Sequence, residues 1–530
     1  MTKKSMRYLA PVLAMSMVLS LTACGGGETA ATTAAAKGDA AAATTAAAAG
    51  NAGGDAAPAK DTLILATANE TPSLTTNLHN AVAGDYMNKL THNGLFYQDE
   101  NMEIQMDLCD SYEIVSDTEW VFKLKQGVKF HNGAEMKAAD VVASIKQAAD
   151  SPEVAQYAKA IAEIEAVDDY TVKIITDGPQ SGLLSDLCHH GNYVLPADLI
   201  ASGHDFNKEP IGTGPYVFKE WKKGESVTFE AYDDYFKGEA PIETIVWKII
   251  PEGSSRTMAL EAGEVDLIVE VESTDVSRMK DNSAITVFDE AGTSHNFMMI
   301  NNERAPFDNE NFRHAMNAAI DKAAIIQVAL NGGGSVCDSQ LPTAFPGATN
   351  EGASTFDPEK AKEYFAASGL NAADCGFDLI CSDDTKLRVG QVIQSCLKET
   401  LGVDVALQSM DLATYLDVTA TGDYDAAIGG YTSGTMLAYA QGVWHSASIN
   451  SSNKTRLADP EVDALIESMQ TTVDPAANQA IVTELNKKLN EMCPQIPLYM
   501  RNNTRAYNAN LKGFNVNAGG NTDYSLFSWE

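Results

Sequence analysis

The chain has 530 residues and a formal net charge of −35 at pH 7, and 45% of its residues are hydrophobic. A charge of this sign and size argues against a nucleic-acid-binding role, because phosphate backbones attract basic surfaces and repel acidic ones. The length exceeds what a single hydrophobic core usually organises, so two or three domains are expected.

The beginning of the chain follows the order of an export signal. Basic residues precede an apolar stretch, Tyr8–Leu21, and small residues lead from it to Cys24. A membrane-spanning helix needs about 20 apolar residues, so this shorter stretch fits the core of a signal peptide. The order resembles the lipobox of bacterial lipoproteins, in which the cysteine is acylated and the bond before it is cut. The resemblance implies a signal peptide over 1–23 and a lipid on Cys24. The alternative is an ordinary secretory signal with a chance cysteine.

The segment after Cys24 is dominated by small residues. Residues 25–60 consist mostly of Ala, Thr and Gly with a few charges. They include almost no large apolar side chains whose burial could offset the entropic cost of ordering the backbone. Residues 24–60 are therefore predicted to be a lipidated cysteine and a disordered tether that lifts a folded body off a membrane.

Strand and helix patterns alternate through the rest of the chain. LILATA (63–68) is typical of a short buried strand, and WVFKLK (120–125) has the period of a half-buried strand. AADVVASIKQAA (138–149) places its branched apolar residues on one stripe of a helix. These patterns indicate a body in which strands and helices are mixed along the sequence.

Two later segments show the same alternation. NENFRHAMNAAI (309–320) has apolar residues at helical spacing, and Asp308 before it is a candidate N-cap. VGQVIQSCLKETLG (389–402) is an amphipathic helix between the predicted strands FDLIC (377–381) and VDVALQ (403–408), which makes a strand–helix–strand unit. The fold class is therefore α/β, in more than one domain.

The cysteines beyond Cys24 form no CxxC pair. They are Cys109, Cys188, Cys337, Cys375, Cys381, Cys396 and Cys493. An odd number cannot all be bridged. Cys375 and Cys381 are close enough in sequence to pair across a loop, and buried free thiols are the expectation for most of the set.

Motifs whose spacing carries a catalytic mechanism are missing from the sequence. It contains no GxSxG turn and no HExxH pair. IGTGPY (211–216) lacks the third glycine of a dinucleotide loop, and NGGGS (331–335) lacks the lysine of a P-loop. The pair His189-His190 and several Asp-Asp pairs are interpreted as structural or solvated residues. No enzyme activity, cofactor or metal is therefore expected.

Several linked stretches favour a binding protein instead. WVFKLKQGVKFHNGAEMKAADVVASIK (120–146) resembles a signature of the extracellular solute-binding proteins of ABC importers, in the oligopeptide/dipeptide-binding family (family 5). IGTGPYVFKEWKKGESVTFEAYDDYFKGEAP (211–241) resembles its next block. Other matching stretches follow in the family's order, at 254–268, 299–321, 356–369, 422–431 and 493–503. The resemblance spans the whole body.

The resemblance implies a two-lobed periplasmic-binding-protein-like fold. It has two strand-like crossings that act as a hinge and an extra domain inserted in the first lobe. Lobe I is expected at 61–98, 206–300 and 505–530, the inserted domain at 99–205, and lobe II at 301–504. A ligand would lie between the lobes, which close around it and exclude water.

One stretch of lobe II is informative about the ligand. The family's peptide binders carry Gly-Trp-x-x-Asp there, and the resemblance implies an aspartate that pairs with a peptide's N-terminal ammonium. This chain has Gly430-Tyr431-Thr432-Ser433-Gly434, with glycine in place of the acid. Tyr431 remains a candidate for stacking on a ligand, and Thr432 and Ser433 for hydrogen bonding to it.

Further ligand-binding candidates come from three other places. Trp444 follows a Gly-containing loop and is a candidate apolar wall. The triplet His295, Asn296 and Phe297 precedes a predicted hinge. Glu70 and Ser73 lie on the loop after the first strand, and Glu70 is a candidate replacement for the missing acid if the ligand is cationic. For the aromatic candidates the alternative is a place in the core.

Three functions stay open at this point. The first is a lipid-anchored receptor that captures a peptide or another small solute outside the cell, acts as a monomer and delivers the solute to ABC transporter permease subunits. The second is a ligand sensor or adhesion protein on the same scaffold. The third, an extracellular hydrolase, would need a carboxylate pair or triad at the cleft. In each case the protein is extracytoplasmic, held to the cell membrane through Cys24.

Overall fold

The computed structural model describes residues 60–530. The predicted signal peptide, Cys24 and all but the last residue of the predicted tether lie outside the described residues. Within the described range no helix is both long and apolar enough to cross a membrane.

Strands and helices alternate along the described chain, as the sequence patterns predict. The strands are β1 (Thr62–Thr67), β2 (Phe96–Gln98), β3 (Ile104–Met106), β4 (Cys109–Ser116), β5 (Glu119–Leu124), β6 (Ile161–Asp168), β7 (Thr171–Thr176), β8 (Tyr216–Lys222), β9 (Ser226–Ala231), β10 (Thr244–Ile249), β11 (Leu267–Val269), β12 (Ile285–Ile300), β13 (Ser335–Val336), β14 (Phe377–Cys381), β15 (Val405–Ser409), β16 (Ala426–Thr432), β17 (Gln495–Asn508), β18 (Leu511–Lys512) and β19 (Ser528–Trp529). The helices are α1 (Val82–Thr91), α2 (Ala138–Ala149), α3 (Leu183–Asp186), α4 (Ala197–Ser202), α5 (Gly253–Glu261), α6 (Ser273–Lys280), α7 (Glu310–Ala319), α8 (Lys322–Ala329), α9 (Pro358–Ser368), α10 (Asp384–Leu401), α11 (Leu412–Thr421), α12 (Met436–Val443), α13 (Pro460–Thr471) and α14 (Pro475–Met492).

Helix starts follow local capping chemistry. In α9, α13 and α14 an aspartate accepts hydrogen bonds from the first-turn amides and a proline follows it, a pairing that suits the first helical position. Helix α7 corrects one prediction. Its N-cap is Asn309, whose side chain accepts from the Phe312 amide, and not Asp308. The two residues are adjacent, and backbone geometry decides which of them caps.

The predicted strand–helix–strand unit is confirmed. β14 and β15 are parallel, α10 connects them, and Leu379, Ile393 and Leu397 are fully buried. Such a crossover buries the apolar stripe of the helix on the sheet. The large apolar residues of β5, Trp120, Phe122 and Leu124, are also buried, as their alternation predicts.

One mixed sheet runs through both lobes. Its strand order is β15-β14-β16-β12-β17-β11-β1-β10-β9-β8, with β13 paired to β17 as a side branch. The central pair, β12 and β17, is antiparallel and contains the two longest strands. The sequence resemblance implies two strand-like crossings between the lobes, and β12 and β17 are these crossings.

Separate hydrophobic cores lie on either side of the crossing strands. On the lobe I side, Leu63, Phe229 and Trp247 belong to a core around β1, β9 and β10. On the lobe II side, Phe312 and Ile393 belong to a core around β14, β16 and the helices α7–α10. Two cores joined by two strands fit a fold in which the lobes move relative to each other.

A third core surrounds a four-stranded antiparallel sheet of order β4-β5-β7-β6. Its buried residues include Phe122, Val141 and Ile174, and it extends from Leu95 to Ile211. The sheet itself lies within 99–205, the predicted inserted domain.

The cysteines of the described range are unpaired thiols. Cys188 and Cys396 are half-buried and the other five are buried. Burial raises the pKa of the Cys337 thiol to about 12 and that of Cys381 to about 11. These thiols are therefore protonated at neutral pH and contribute as small apolar side chains.

Candidate functional site

The strand directions bring the ends of both lobes toward the same crevice. β11 is antiparallel to β17 and parallel to β1, so both strands point toward lobe II. β16 is antiparallel to β12 and parallel to β14, so both of these point back toward lobe I. The carboxyl ends of the parallel strands in the two lobes therefore point toward one another along the direction of the crossing strands. Ligands of open α/β sheets bind at such carboxyl ends.

The sequence-predicted residues divide between these facing ends. Glu70 and Ser73 follow the carboxyl end of β1 in lobe I. Tyr431 and Thr432 end β16 in lobe II, and Ser433 and Gly434 follow directly. Two segments far apart in sequence are thus placed on opposite sides of one crevice.

Tyr431 is held firmly in lobe II while part of its surface stays exposed. Its ring meets the ring of Tyr439 edge-on, with centroids 5.6 Å apart. A Cβ added at Gly442 in α12 would lie only 2.5 Å from the Tyr431 hydroxyl oxygen, so a larger residue there would displace the ring from this position. The half-buried ring is available for stacking without the entropic cost of ordering a free side chain.

The three residues after Tyr431 differ in how much bonding capacity they have left. The exposed Thr432 donates from its hydroxyl to Ser294 Oγ at 3.0 Å. Ser433 is buried, and its hydroxyl donates to the Thr435 carbonyl at 2.8 Å within the turn that precedes α12. Gly434 is exposed, and an added Cβ would meet no atom within 4 Å. Thr432 and the space at Gly434 are therefore open to a ligand, whereas Ser433 serves the turn.

The His295 triplet lies mainly inside lobe II. His295 is fully buried, with Nδ1 2.6 Å from the Tyr439 hydroxyl, and Phe297 is 4% exposed. Burial lowers the pKa of His295 to about 3, so the ring is neutral at physiological pH. Asn296 is half-buried and donates to the Ser294 carbonyl at 3.2 Å. This placement corrects the expectation for His295 and Phe297, because alternation along β12 turns both side chains into the core. Asn296 stays a candidate.

Trp444 also has no accessible surface. It belongs to a lobe II core with Tyr439, Val462 and Ile466, where α12 packs on α13. The prediction of an apolar ligand wall is therefore replaced by a core position in this structure. The sequence around it, a short helix followed by a turn, is compatible with either place.

On the lobe I side, both candidates are engaged by their own lobe. Glu70 Oε1 accepts hydrogen bonds from Trp221 Nε1 and from the Gly224 amide, each at 2.8 Å. The Gly224 bond is the main reason why the pKa of Glu70 is lowered from its ordinary value. Ser73 is 7% exposed and donates to Asn207 Oδ1 at 3.0 Å. Ser73 is thus committed to its own lobe, whereas Glu70 accepts these bonds through Oε1 alone and stays a candidate for the replacement acid.

A pair of glutamines beside Tyr431 was missed in the sequence. Gln441 Nε2 donates to Gln470 Oε1 at 3.1 Å, and the Gln470 carbonyl accepts from the Ser181 amide of the predicted inserted domain at 3.1 Å. The second of these contacts joins lobe II to the predicted inserted domain. Glutamine on a helix surface carries no pattern that distinguishes it from solvated residues, so sequence patterns do not single out this pair.

Potential metal ligands are dispersed in the described part of the chain. No group of three or more His, Cys, Asp or Glu side chains lies within reach of one ion there. His189 and His190 take part instead in ring stacking, His189 on Tyr157 at 3.5 Å and His190 on His79 at 4.7 Å. The residues at the crevice are suited to hydrogen bonding and stacking.

Comparison with known proteins agrees with this architecture. Residues 103–452 match the family model described as "Bacterial extracellular solute-binding proteins, family 5 Middle". The chain belongs to this family. The match extends from the predicted inserted domain to lobe II and includes Tyr431 and Gly434. The family prediction made from the sequence stretches is thereby confirmed.

Individual relatives cover most of the chain. The glutathione-binding protein GsiB of Pectobacterium atrosepticum is 28% identical over 458 residues, which is 83% of this chain and 88% of that protein. The structure of HbpA2 from Haemophilus parasuis superposes with a TM-score of 0.80 at 25% identity, covering 88% of this chain and all of HbpA2. DppA from Helicobacter pylori, solved with the peptide STSA, has a TM-score of 0.63 at 22% identity over 89% of this chain and 98% of DppA. The two-lobed α/β fold of this family is confirmed.

Proposed function

We propose that this family 5 protein is the lipid-anchored substrate-binding component of an ABC importer. It captures a short peptide or a related small solute outside the cell, and it presents the closed, loaded form to the permease subunits. The solute leaves chemically unchanged. Any ATP is consumed by a separate subunit of the transporter.

The observation that carries this proposal is the pair of facing strand ends. Each lobe directs the carboxyl ends of its parallel strands into the crevice, and two long strands connect the lobes. Closure about these strands would bury a solute between both sets of ends and exclude water, which strengthens every polar contact that the solute makes. Such a crevice suits capture and release better than bond cleavage.

The lobe II side supplies the proposed contacts with the solute. The half-buried ring of Tyr431 gives an apolar wall, and the exposed hydroxyl of Thr432 gives a polar contact. Gly434 adds space and no charge. A solute that fits this surface is held by stacking and hydrogen bonds, without an ion pair to a carboxylate at position 434.

Solutes bound by relatives suggest the first compounds to test. GsiB is named as a glutathione-binding protein and DppA was solved with a peptide. Native mass spectrometry of gently purified protein, followed by calorimetric titration with the solute it reveals and with glutathione and short peptides, tests the proposal. We expect one solute per chain and a smaller radius of gyration on binding. A solute that is consumed during the titration would favour a hydrolase instead.

A matched pair of variants tests the proposed wall. Tyr431→Ala removes the half-buried ring beside the crevice, and Tyr97→Ala removes an exposed ring on the hairpin formed by β2 and β3. We expect the first to weaken solute binding by about fivefold or more, since an aromatic contact contributes about 1 kcal/mol. Equal affinities of the two variants would remove Tyr431 from the site.

Membrane attachment is tested at the proposed lipidation site. Cys24→Ser removes the thiol that the lipid would occupy, and Cys396→Ser changes a half-buried thiol of lobe II as a control. We expect only the Cys24 variant to leave the washed membrane fraction. Retention of that variant in membranes would place the anchor elsewhere.

A further inference from the structure

The pairing of the two crossing strands shifts register at two places, and the longer irregularity lies between Ala291 and His295 of β12. β12 pairs with β17 from Ile285 to Ala291 and again from His295 to Met299, and the register shifts in between. Gly292 lies in this interruption, where an added Cβ would be 3.0 Å from the Arg501 carbonyl oxygen. This stretch of β12 is not paired with β17 and lies between the lobe cores, and hinges are typically a few such residues that absorb changes of backbone angle.

A chain of polar contacts spans the interruption. Ser335 Oγ donates to Asn502 Oδ1 at 2.8 Å, and Asn502 Nδ2 donates to Asp289 Oδ1 at 2.8 Å. The second oxygen of Asp289 accepts from Lys280 Nζ at 3.0 Å. Thr504 Oγ1 adds a further hydrogen bond to Asp289 Oδ1 at 3.2 Å.

The two ends of this series of hydrogen bonds, Ser335 and Lys280, belong to different lobes. Ser335 starts β13, which pairs with Tyr499 and Met500, and Tyr499 is part of the lobe II core. Lys280 ends α6, and the preceding residue, Met279, is part of a lobe I core. These contacts therefore connect one core to the other through side chains of the crossing strands themselves.

A second contact brings the same loop of lobe II against lobe I. A Cβ added at Gly333 would lie 3.2 Å from Ser273 Cβ, at the start of α6. Gly333 belongs to the NGGGS stretch, which lacks the lysine of a phosphate-binding P-loop. In the structure this stretch ends at Ser335, which lies beside the interruption and bonds Asn502.

We propose that Ser335, Asn502, Asp289 and Lys280 form a hinge latch that holds the lobes in the relative orientation of this structure. Rotation about the interruption separates Ser335 from Asn502, because they lie on either side of it along the chain of contacts. The latch rests on the two-lobed fold and not on the proposed transport function or on the identity of a solute.

The contacts of the latch differ in how much they contribute to its stability. The Asp289 side chain is 12% exposed and that of Lys280 is 50% exposed, so water screens the ion pair. The bonds between Ser335, Asn502 and Asp289 are partly buried and contribute more. Loss of one such bond shifts the ratio of two lobe orientations by about fivefold, which follows from the net worth of a single hydrogen bond.

The test measures lobe orientation in the full-length protein without added solute. Spin labels on cysteines introduced by Glu239→Cys in lobe I and Lys362→Cys in lobe II report the interlobe distance by pulsed electron resonance; the same label reacted with the parent chain gives the background. Asn502→Ala and Ser335→Ala break the latch. Asp404→Ala is the matched control, because its ion pair with Lys398 is on the surface of lobe II.

We expect a broader or second distance population in Asn502→Ala and, to a smaller extent, in Ser335→Ala. The Asp404→Ala distribution should match the parent. If Asn502→Ala does not fold, as judged by circular dichroism, Ser335→Ala decides the question alone. Parent-like distance distributions in every folded latch variant would overturn the latch while leaving the proposed solute capture intact, since capture is measured by titration.

Discussion

The two sides of the crevice occupy equivalent places in the fold but differ in what they leave available. On the lobe I side, Glu70 and Ser73 are bound by Trp221, Gly224 and Asn207 of the same lobe. On the lobe II side, Tyr431 and Thr432 keep exposed surface and Gly434 leaves open space. Position at a strand end is therefore not enough for a binding role. Burial, together with the hydrogen bonds that a side chain already makes, decides how much capacity it has for a ligand.

The largest expected effect separates core from crevice within lobe II. Trp444→Ala should lower the free energy of unfolding by about 3–5 kcal/mol, because it leaves a cavity among fully buried residues. Denaturant titration measures this loss. Tyr431→Ala is the control, and its loss should be clearly smaller because its ring is half-buried. Equal losses would mean that the core and crevice positions are not distinct.

The next largest effect is expected when a negative charge is added at Gly434, on the lobe II side of the crevice. Gly434→Asp places a carboxylate where an added Cβ meets no atom within 4 Å. Affinity for peptides with a free N-terminal ammonium should rise by about tenfold or more, because a charge-assisted hydrogen bond contributes about 1.5–3 kcal/mol. Calorimetry with peptides, and with the same peptides acetylated, measures it. Gly434→Asn controls for size, and an equal gain in Asn would contradict the charge argument.

A smaller effect is expected at Glu70, on the lobe I side of the crevice, where the side chain is already hydrogen-bonded within its own lobe. Glu70→Gln should cost about 1 kcal/mol of stability at neutral pH, since it weakens two charge-assisted hydrogen bonds at a partly exposed group. The pKa of Glu70 is lowered in the folded state, mainly by the Gly224 amide. Its contribution is therefore present above the ordinary glutamate pKa and lost as pH falls through the folded value. Unfolding curves of parent and variant should differ at pH 7 and converge in acid; a constant difference would assign the effect to packing.

The smallest expected effect is on stability at Thr432. Thr432→Val removes an exposed hydrogen bond to Ser294 and should change the free energy of unfolding by less than about 0.5 kcal/mol. If Thr432 contacts the solute, affinity should nevertheless fall. Thermal unfolding and titration of the same sample measure both. A loss of stability without a loss of affinity would show that the Thr432 hydroxyl serves the fold of lobe II and does not contact the solute.

The crevice could be located from the sequence only in part. The family stretches predict the two-lobed fold, and they place Tyr431 and Gly434 on lobe II, where the structure leaves exposed surface. Trp444 fits the same kind of reasoning, but in the structure it lies in the core, and one oxygen of Glu70 is bound by Trp221. Aromatic and acidic residues have the same sequence appearance in both situations, because partners distant in the chain decide between them.

By itself the sequence determined the α/β class, the strand–helix–strand unit and the likeness to family 5, since these depend on local periodicity and on ordered motifs. Tertiary structure alone decided which polar side chains remain free at the crevice. It also decided how Ser335, Asn502 and Asp289 meet beside the hinge. The physical reason is that hydrogen-bond capacity is consumed by neighbours up to hundreds of residues away, and pairing of the crossing strands fixes which neighbours those are.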